Sequence, residues 1–172
     1  MAKFADIPKF TRDSNYNIDV SPEYLMRWIA EEADMGLELN PDFQRGHVWT
    51  EEQQIAYIEY IIRGGMSGRD LYFNCPWWHF GGVHGKYRDY VCVDGLQRIT
   101  AWRAFLNNEI LVFDTYYREF EDKLPINTMH VHINDLKTRR EVLGWYIEMN
   151  AGGTPHSKEE IARVQSLLDT CM

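Results

Sequence analysis

The sequence predicts a single α+β domain, a small mixed sheet flanked by helices, and three observations carry that expectation. Helical periodicity with capping signals recurs in five segments, and short apolar or alternating runs bounded by turn residues lie between them. The 172 residues, 45% hydrophobic and 14% aromatic, suffice for one sizeable core and are too few for two ordinary domains. Residues 1–17 read as an N-terminal extension of that domain.

Ser21-Pro22-Glu23 places a cap residue before a proline at the first helical position, and Tyr24, Leu25, Trp28 and Ile29 follow at helical spacing, so a helix runs to about Asp34. Thr50-x-x-Gln53 is a capping box, with Ile55, Ile58, Ile61 and Ile62 as one apolar stripe ended by Gly64-Gly65. Asp70 to Asn74 and Asp89 to Val93 read as short strands, the second running into Asp94-Gly95. Ile99, Trp102, Phe105 and Leu106 continue as a helix closed by Asn107-Asn108, and Ile110 to Phe113 reads as a buried strand. Thr128 to Ile133 alternates in strand fashion. Helices then follow from about Lys137 to Met149 and from the Ser157-x-x-Glu160 capping box. Trp77 to Gly85, aromatic and glycine-rich, reads as a mobile loop, while Trp49 and Trp102 belong to the core.

Eighteen Lys and Arg against 26 Asp and Glu give a formal charge of −8, so the whole-molecule field repels polyanions and disfavours passive coating of DNA. A focused pocket around Arg45 and Arg98 is still compatible with a small anion. Cys75, Cys92 and Cys171 form neither a disulfide framework nor a zinc pattern, which fits a reducing cytoplasm. No run approaches the roughly 20 apolar residues of a membrane span, and the N-terminus lacks the apolar stretch of a signal peptide. His130 and His132 fall on the polar side of their strand, and no structural metal is expected.

Polar and charged residues collect where apolar runs stop, in three motifs at 40–49, 93–100 and 150–160. In the second, Asp94-Gly95 opens a helix, whose unpaired N–H groups and partial positive charge suit a phosphate, with Arg98 supplying a planar guanidinium and Gly95 permitting close approach. The competing reading is a capping box of Asp94 and Gln97 with Arg98 solvated. Asp94 is also a candidate Mg²⁺ ligand, since that ion needs only one or two protein carboxylates. Gln44 suits the orientation of an attacking water, or is a turn residue. Asn150-Ala151-Gly152-Gly153 has the permissive composition of a loop that turns N–H groups towards a ligand, although Gly152 also suits the end of the preceding helix. Trp77, Trp78, Phe80 and Tyr87 form either a stacking platform for a base or anchors of the loop on the core.

Together the motifs resemble the ParB/sulfiredoxin-like domain at the N-terminus of the GmrSD modification-dependent restriction enzymes, over roughly Ile18 to Ile161. The residues that carry the resemblance are Pro41, Phe43, Gln44, Arg45, Val48 and Trp49, then Asp94, Gly95, Gln97, Arg98, Ile99 and Thr100, then Asn150, Gly152, Ser157 and Glu160. Leu96 stands where that family's second motif has its first glutamine. The resemblance implies one ParB-like domain over 1–172, without the nuclease half that GmrSD enzymes carry, and sets the Arg45 segment beside the Asp-Gly turn. Arg45 then has two readings, a second phosphate clamp or an ion pair with Asp42 or Asp94.

The activity expected is cleavage or transfer of the terminal phosphate of a nucleoside triphosphate with Mg²⁺. Asp94, Gln97, Arg98 and Gln44 form the catalytic set, and Arg45, Gly95, Arg98, Thr100, Asn150, Gly152 and Gly153 bind phosphate or nucleotide. Modified DNA is a possible partner and a membrane is not. A kinase acting on a hydroxyl of a modified base or small molecule is one alternative. A non-catalytic DNA- or protein-binding module is the other.

Overall fold

The computed structural model describes residues 3, 7, 16–44, 46–78, 87–126, 128–151 and 158–171. Five strands, β1 (Tyr16–Val20), β2 (Leu37–Glu38), β3 (Asp70–Asn74), β4 (Tyr90–Asp94) and β5 (Met129–Asn134), form one mixed sheet in the order β1-β5-β3-β4-β2. β1 and β5 pair antiparallel, as do β3 and β4, whereas β5 with β3 and β4 with β2 pair parallel. The helices are α1 (Pro22–Asp34), α2 (Glu51–Ile62), α3 (Leu96–Leu106), α4 (Arg139–Ala151) and α5 (Lys158–Thr170). The α+β expectation therefore holds.

Local chemistry explains the helix starts. Ser21 Oγ accepts from Tyr24 N–H at 3.2 Å, and Thr50 and Gln53 form the reciprocal capping box. Thr138 Oγ1 accepts from Glu141 N–H at 3.2 Å, and Glu141 Oε2 accepts from Lys137 N–H at 3.1 Å, so α4 begins just past Thr138. The capping box expected at Ser157 lies outside the described residues.

Helices cover both faces of the sheet. Leu25 and Ile29 of α1, Ile58 and Ile61 of α2 and Ile99, Trp102 and Phe105 of α3 pack with Leu71, Phe73, Cys92, Met129, Val131 and Ile133 in the larger core. Leu25, Ile58, Ile61 and Ile99 are fully buried, worth about 1.5–3 kcal/mol each. On the opposite face Val142, Leu143, Trp145 and Tyr146 of α4 and Val164 of α5 close over Val91, Val93 and Phe43. Trp102 is fully buried, and Trp49 packs partly buried against the same core.

One expected element is corrected. Ile110 to Phe113 is not a strand. Val112 makes a single antiparallel bridge to Thr115, and the chain reverses through Phe113 and Asp114 at φ 52° and 56°. Ile110 and Val112 are buried all the same, which is why the run reads as apolar. A strand needs a neighbour to hydrogen-bond with, and this run instead ties its Phe113 N–H to Glu59 Oε1 at 3.1 Å. β1 and the two-residue β2, by contrast, are strands that periodicity does not mark, β1 because four of its five residues are exposed.

His130 and His132 stand on the polar side of β5 and are paired. His130 Nδ1 lies 2.6 Å from Asp19 Oδ1, and His132 spans Asn17 and Asp70 at 2.6 and 2.8 Å.

Candidate functional site

β4 delivers Asp94 to the start of α3, and Gly95 makes the turn between them. Gly95 has φ 136°, and a Cβ there would stand 2.6 Å from Leu71 Cδ2, so both conformation and packing require glycine. Gly95 occupies the cap position of α3 and no side chain caps the helix. The capping-box reading of Asp94 and Gln97 therefore does not hold. Asp94 turns instead to Arg98, whose Nη2 donates to Oδ2 at 2.6 Å.

Arg98 is mostly buried and Asp94 nearly half exposed, with side-chain exposures of 20% and 44%. Burial opposes the guanidinium charge, but the adjacent Asp94 carboxylate outweighs it and holds Arg98 above its ordinary value. Arg98 Nε is buried with no hydrogen-bond partner among the described residues. Around the pair stand two tyrosines. Tyr57 donates to Gly68 O at 2.9 Å, and burial pushes its hydroxyl up to about 12 although Arg98 pulls the other way. Tyr72 lies opposite Asp94 in the β3–β4 register and stacks on His132 at 4.6 Å, its hydroxyl raised by burial and then by Asp70 and Asp94.

Gln97 holds the first motif to the second. Its Oε1 accepts from Val48 N–H at 3.0 Å and Trp49 N–H at 3.1 Å, and its Nε2 donates to Gly46 O at 2.6 Å. Gln44 Nε2 donates to Cys92 O at 2.5 Å, anchoring the same loop to β4. The loop and the Asp-Gly turn, 48 or more residues apart in sequence, thus form one unit.

Other residues of the expected set are placed differently. Thr100 Oγ1 donates to Leu96 O at 2.8 Å, back-bonding within its own helix. Leu96, in the place of the family's glutamine, is buried. Asn150 donates to Tyr146 O at 2.7 Å within α4, and no hydrogen bond among the described residues joins it to Asp94 or Arg98. Arg45, Gly152 and Gly153 lie outside the described residues, as does Phe80 of the aromatic loop. Trp77 packs edge-on to Tyr90 at 6.1 Å and Trp78 against Tyr16 at 5.5 Å, so both serve as anchors on the core. Tyr87 is also packed, against the second core. Among the described residues no three His, Cys, Asp or Glu side chains converge as a metal site.

Two residues that sequence reasoning missed hold this site in place. Arg163 of α5 donates to three consecutive carbonyls, those of Asp42, Phe43 and Gln44, at 2.6, 2.8 and 3.1 Å. Arg139 of α4 donates to both carboxylate oxygens of Asp42 at 2.7 Å. Neither carries a sequence signal, because an arginine in a helical segment reads as solvated surface.

No helix among the described residues is long and apolar enough to cross a membrane. No curated protein and no solved structure matches the chain. The family described as GmrSD restriction endonuclease, N-terminal domain, does match, over residues 29–128. That span is more than half of the 172 residues and contains the first two motifs, the third lying beyond it. With the Asp-Gly turn, Arg98 and the Gln44–Trp49 loop all inside the match, the chain belongs to the family of GmrSD restriction endonuclease N-terminal domains.

Proposed function

We propose that the chain binds the phosphate chain of a nucleoside triphosphate at the start of α3 and cleaves its terminal phosphate, in the context of restriction of modified DNA. The observation that carries this reading is an arginine, mostly buried, beside a helix N-terminus that no side chain caps. Unsatisfied N–H groups and a fixed guanidinium together favour a phosphate over bulk anions. Asp94 holds Arg98 in the free protein. Incoming phosphate oxygens take over the guanidinium and release the Asp94 carboxylate.

A single half-exposed carboxylate suits Mg²⁺, which keeps several waters and takes its remaining ligands from phosphate oxygens. Asp94 would hold the ion, which supplies neutralisation of the phosphate charge. Gln44 has its amide nitrogen committed to Cys92 O, and its Oε1 accepts a hydrogen bond from an attacking water and orients it. The water oxygen bonds to the terminal phosphorus, the bridging P–O bond breaks towards the diphosphate, and the water proton passes to solvent. Gln97 keeps the loop that carries Gln44 and Arg45 against the turn, and Arg45 supplies the second clamp.

A second reading, a nucleotide-gated module without turnover, is favoured by one observation. Both ends of the Gln97 amide are spent on backbone groups, and Leu96 is buried, so neither position serves a reacting water. Phosphate release decides between the two, measured with each ribonucleoside triphosphate and Mg²⁺, with and without plain and modified DNA, and with Arg98→Ala as control. Turnover lost in the variant supports hydrolysis. Binding without turnover supports the gated module, and unchanged turnover in Arg98→Ala overturns the site.

A further inference from the structure

We infer that Arg163 is a positioning residue and that the α4–α5 hairpin is the latch that sets the geometry of the first-motif loop, an inference that rests on the phosphate site proposed above. Three successive backbone carbonyls converging on one guanidinium, as those of Asp42, Phe43 and Gln44 do on Arg163, fix the path of that backbone. Arg139 grips the Asp42 side chain from the neighbouring helix, and Phe43, 1% exposed, sits edge-on to Tyr146 of α4 at 5.3 Å. The loop is thus held from α4 and α5 on one side and by Gln97 of α3 on the other.

The two holds differ in origin. Gln97 lies within the family match at 29–128, whereas α4 and α5 lie beyond it. They also differ in depth. Of the α5 side chains described, only Val164 is fully buried, with Leu167 and Leu168 partly so. A helix seated by so little apolar area opens at lower free energy than the core beneath it. When α5 lifts, Arg163 leaves the three carbonyls, and the backbone of the loop is left to the Asp42 and Phe43 contacts with α4 and the Gln97 and Gln44 contacts with α3 and the sheet. Seating of the hairpin therefore tunes the phosphate site through a contact that touches no ligand.

The test uses Arg163→Ala and Arg163→Lys, with Arg140→Ala as control. Arg140 donates to Leu168 O and Cys171 O, so it holds the same hairpin without touching the loop. Hydrogen exchange at the amides of Gln44, Val48 and Trp49 is read in the ligand-free protein, and the Kd for Mg²⁺-tripolyphosphate is measured alongside. Expected in Arg163→Ala is about tenfold faster exchange at Gln44, whose N–H bonds to Pro41 O at 2.9 Å, and about tenfold weaker tripolyphosphate binding. Partial rescue is expected in Arg163→Lys, and near-native values in Arg140→Ala. Native exchange at Gln44 in Arg163→Ala, or equal effects in Arg140→Ala, overturns the latch. A wild-type chain that does not bind tripolyphosphate overturns the phosphate site instead, and the exchange arm still decides the latch.

Discussion

Arg98 and Asp94 form a 2.6 Å ion pair one helical turn apart, bridging the end of β4 and the first turn of α3. The pair joins a mostly buried cation to a half-exposed anion, so the cation is the partner that cannot be released to water. A bidentate, planar donor is the part a point charge cannot copy.

Arg98→Lys therefore keeps the charge and loses the fork. We expect nucleotide affinity to fall at least tenfold, while stability drops by on the order of 1 kcal/mol, because Asp94 is open enough to solvent that the pair is screened. Isothermal titration with Mg²⁺-ATP beside a urea melt separates the two. Equal affinity in the variant would show that the fork does not meet phosphate.

Gln97→Ala removes one acceptor serving two amide N–H groups and one donor to Gly46 O. A loss of about 1–3 kcal/mol is expected, a melting shift of about 2–4 °C for each kcal/mol in a chain of this size. Gln97→Glu keeps the acceptor and sets a carboxylate against the Gly46 carbonyl, so it should destabilise as well. A silent Gln97→Glu would mean that the donor to Gly46 contributes nothing.

How much of this was legible beforehand depended on whether the cause was local. Ser21, Thr50 and Gln53 announce their helices because the capping partners lie three residues away. The Asp94-Gly95-Leu96-Gln97-Arg98 run marked the site, yet its pairing did not follow from spacing, since Asp94 could meet either a helix N–H or Arg98. The choice is made by Gln97, whose amide is drawn to a loop 48 or more residues away. Arg139 and Arg163 were illegible for the same reason, their partners being main-chain or side-chain atoms 97 or more residues distant. Ile110 to Phe113 misled because burial without pairing gives the same apolar run as a strand.

Gly95→Ala tests the turn. The backbone there sits at φ 136°, and the added methyl meets Leu71 Cδ2 at 2.6 Å with the Leu71 Cα 3.5 Å away. Backbone strain and overpacking each cost about 1–3 kcal/mol, so the variant should lose several kcal/mol. Leu71→Ala relieves the clash and opens a core cavity of its own, so the comparison, read in denaturant melts, is the cost of Gly95→Ala in the wild-type and in the Leu71→Ala background, and that cost should shrink but not vanish. A cost that vanishes in the Leu71→Ala background would assign the whole penalty to packing.

Thiol chemistry distinguishes the three cysteines. Burial pushes Cys75 up to about 11 and Cys92 up to about 12, so neither presents a thiolate near neutral pH. Cys171 is the least buried of the three. A thiol-reactive dye at about pH 8 should label one thiol quickly and two only on unfolding. Cys171→Ser should abolish the fast phase, and a fast phase that survives it would show that a core thiol is open to solvent.

The same burial makes the fold alkali-sensitive. Cys75, Cys92 and Tyr57 all have folded values raised above their ordinary ones, to about 11, 12 and 12, chiefly by burial. A raised folded value means that the native state holds the proton more tightly than the unfolded chain, so stability falls with pH once the unfolded groups begin to ionise. The contribution is complete below the ordinary thiol value near 9.0 and is lost as pH climbs through 11 to 12. Urea midpoints should be flat from about pH 7 to pH 8.5 and then fall steadily towards pH 11. Cys92→Ala and Cys75→Ala should each flatten part of that slope. A slope indifferent to Cys92→Ala would place the alkaline loss in the buried tyrosines, Tyr90, Tyr87 and Tyr57, whose hydroxyls burial also raises.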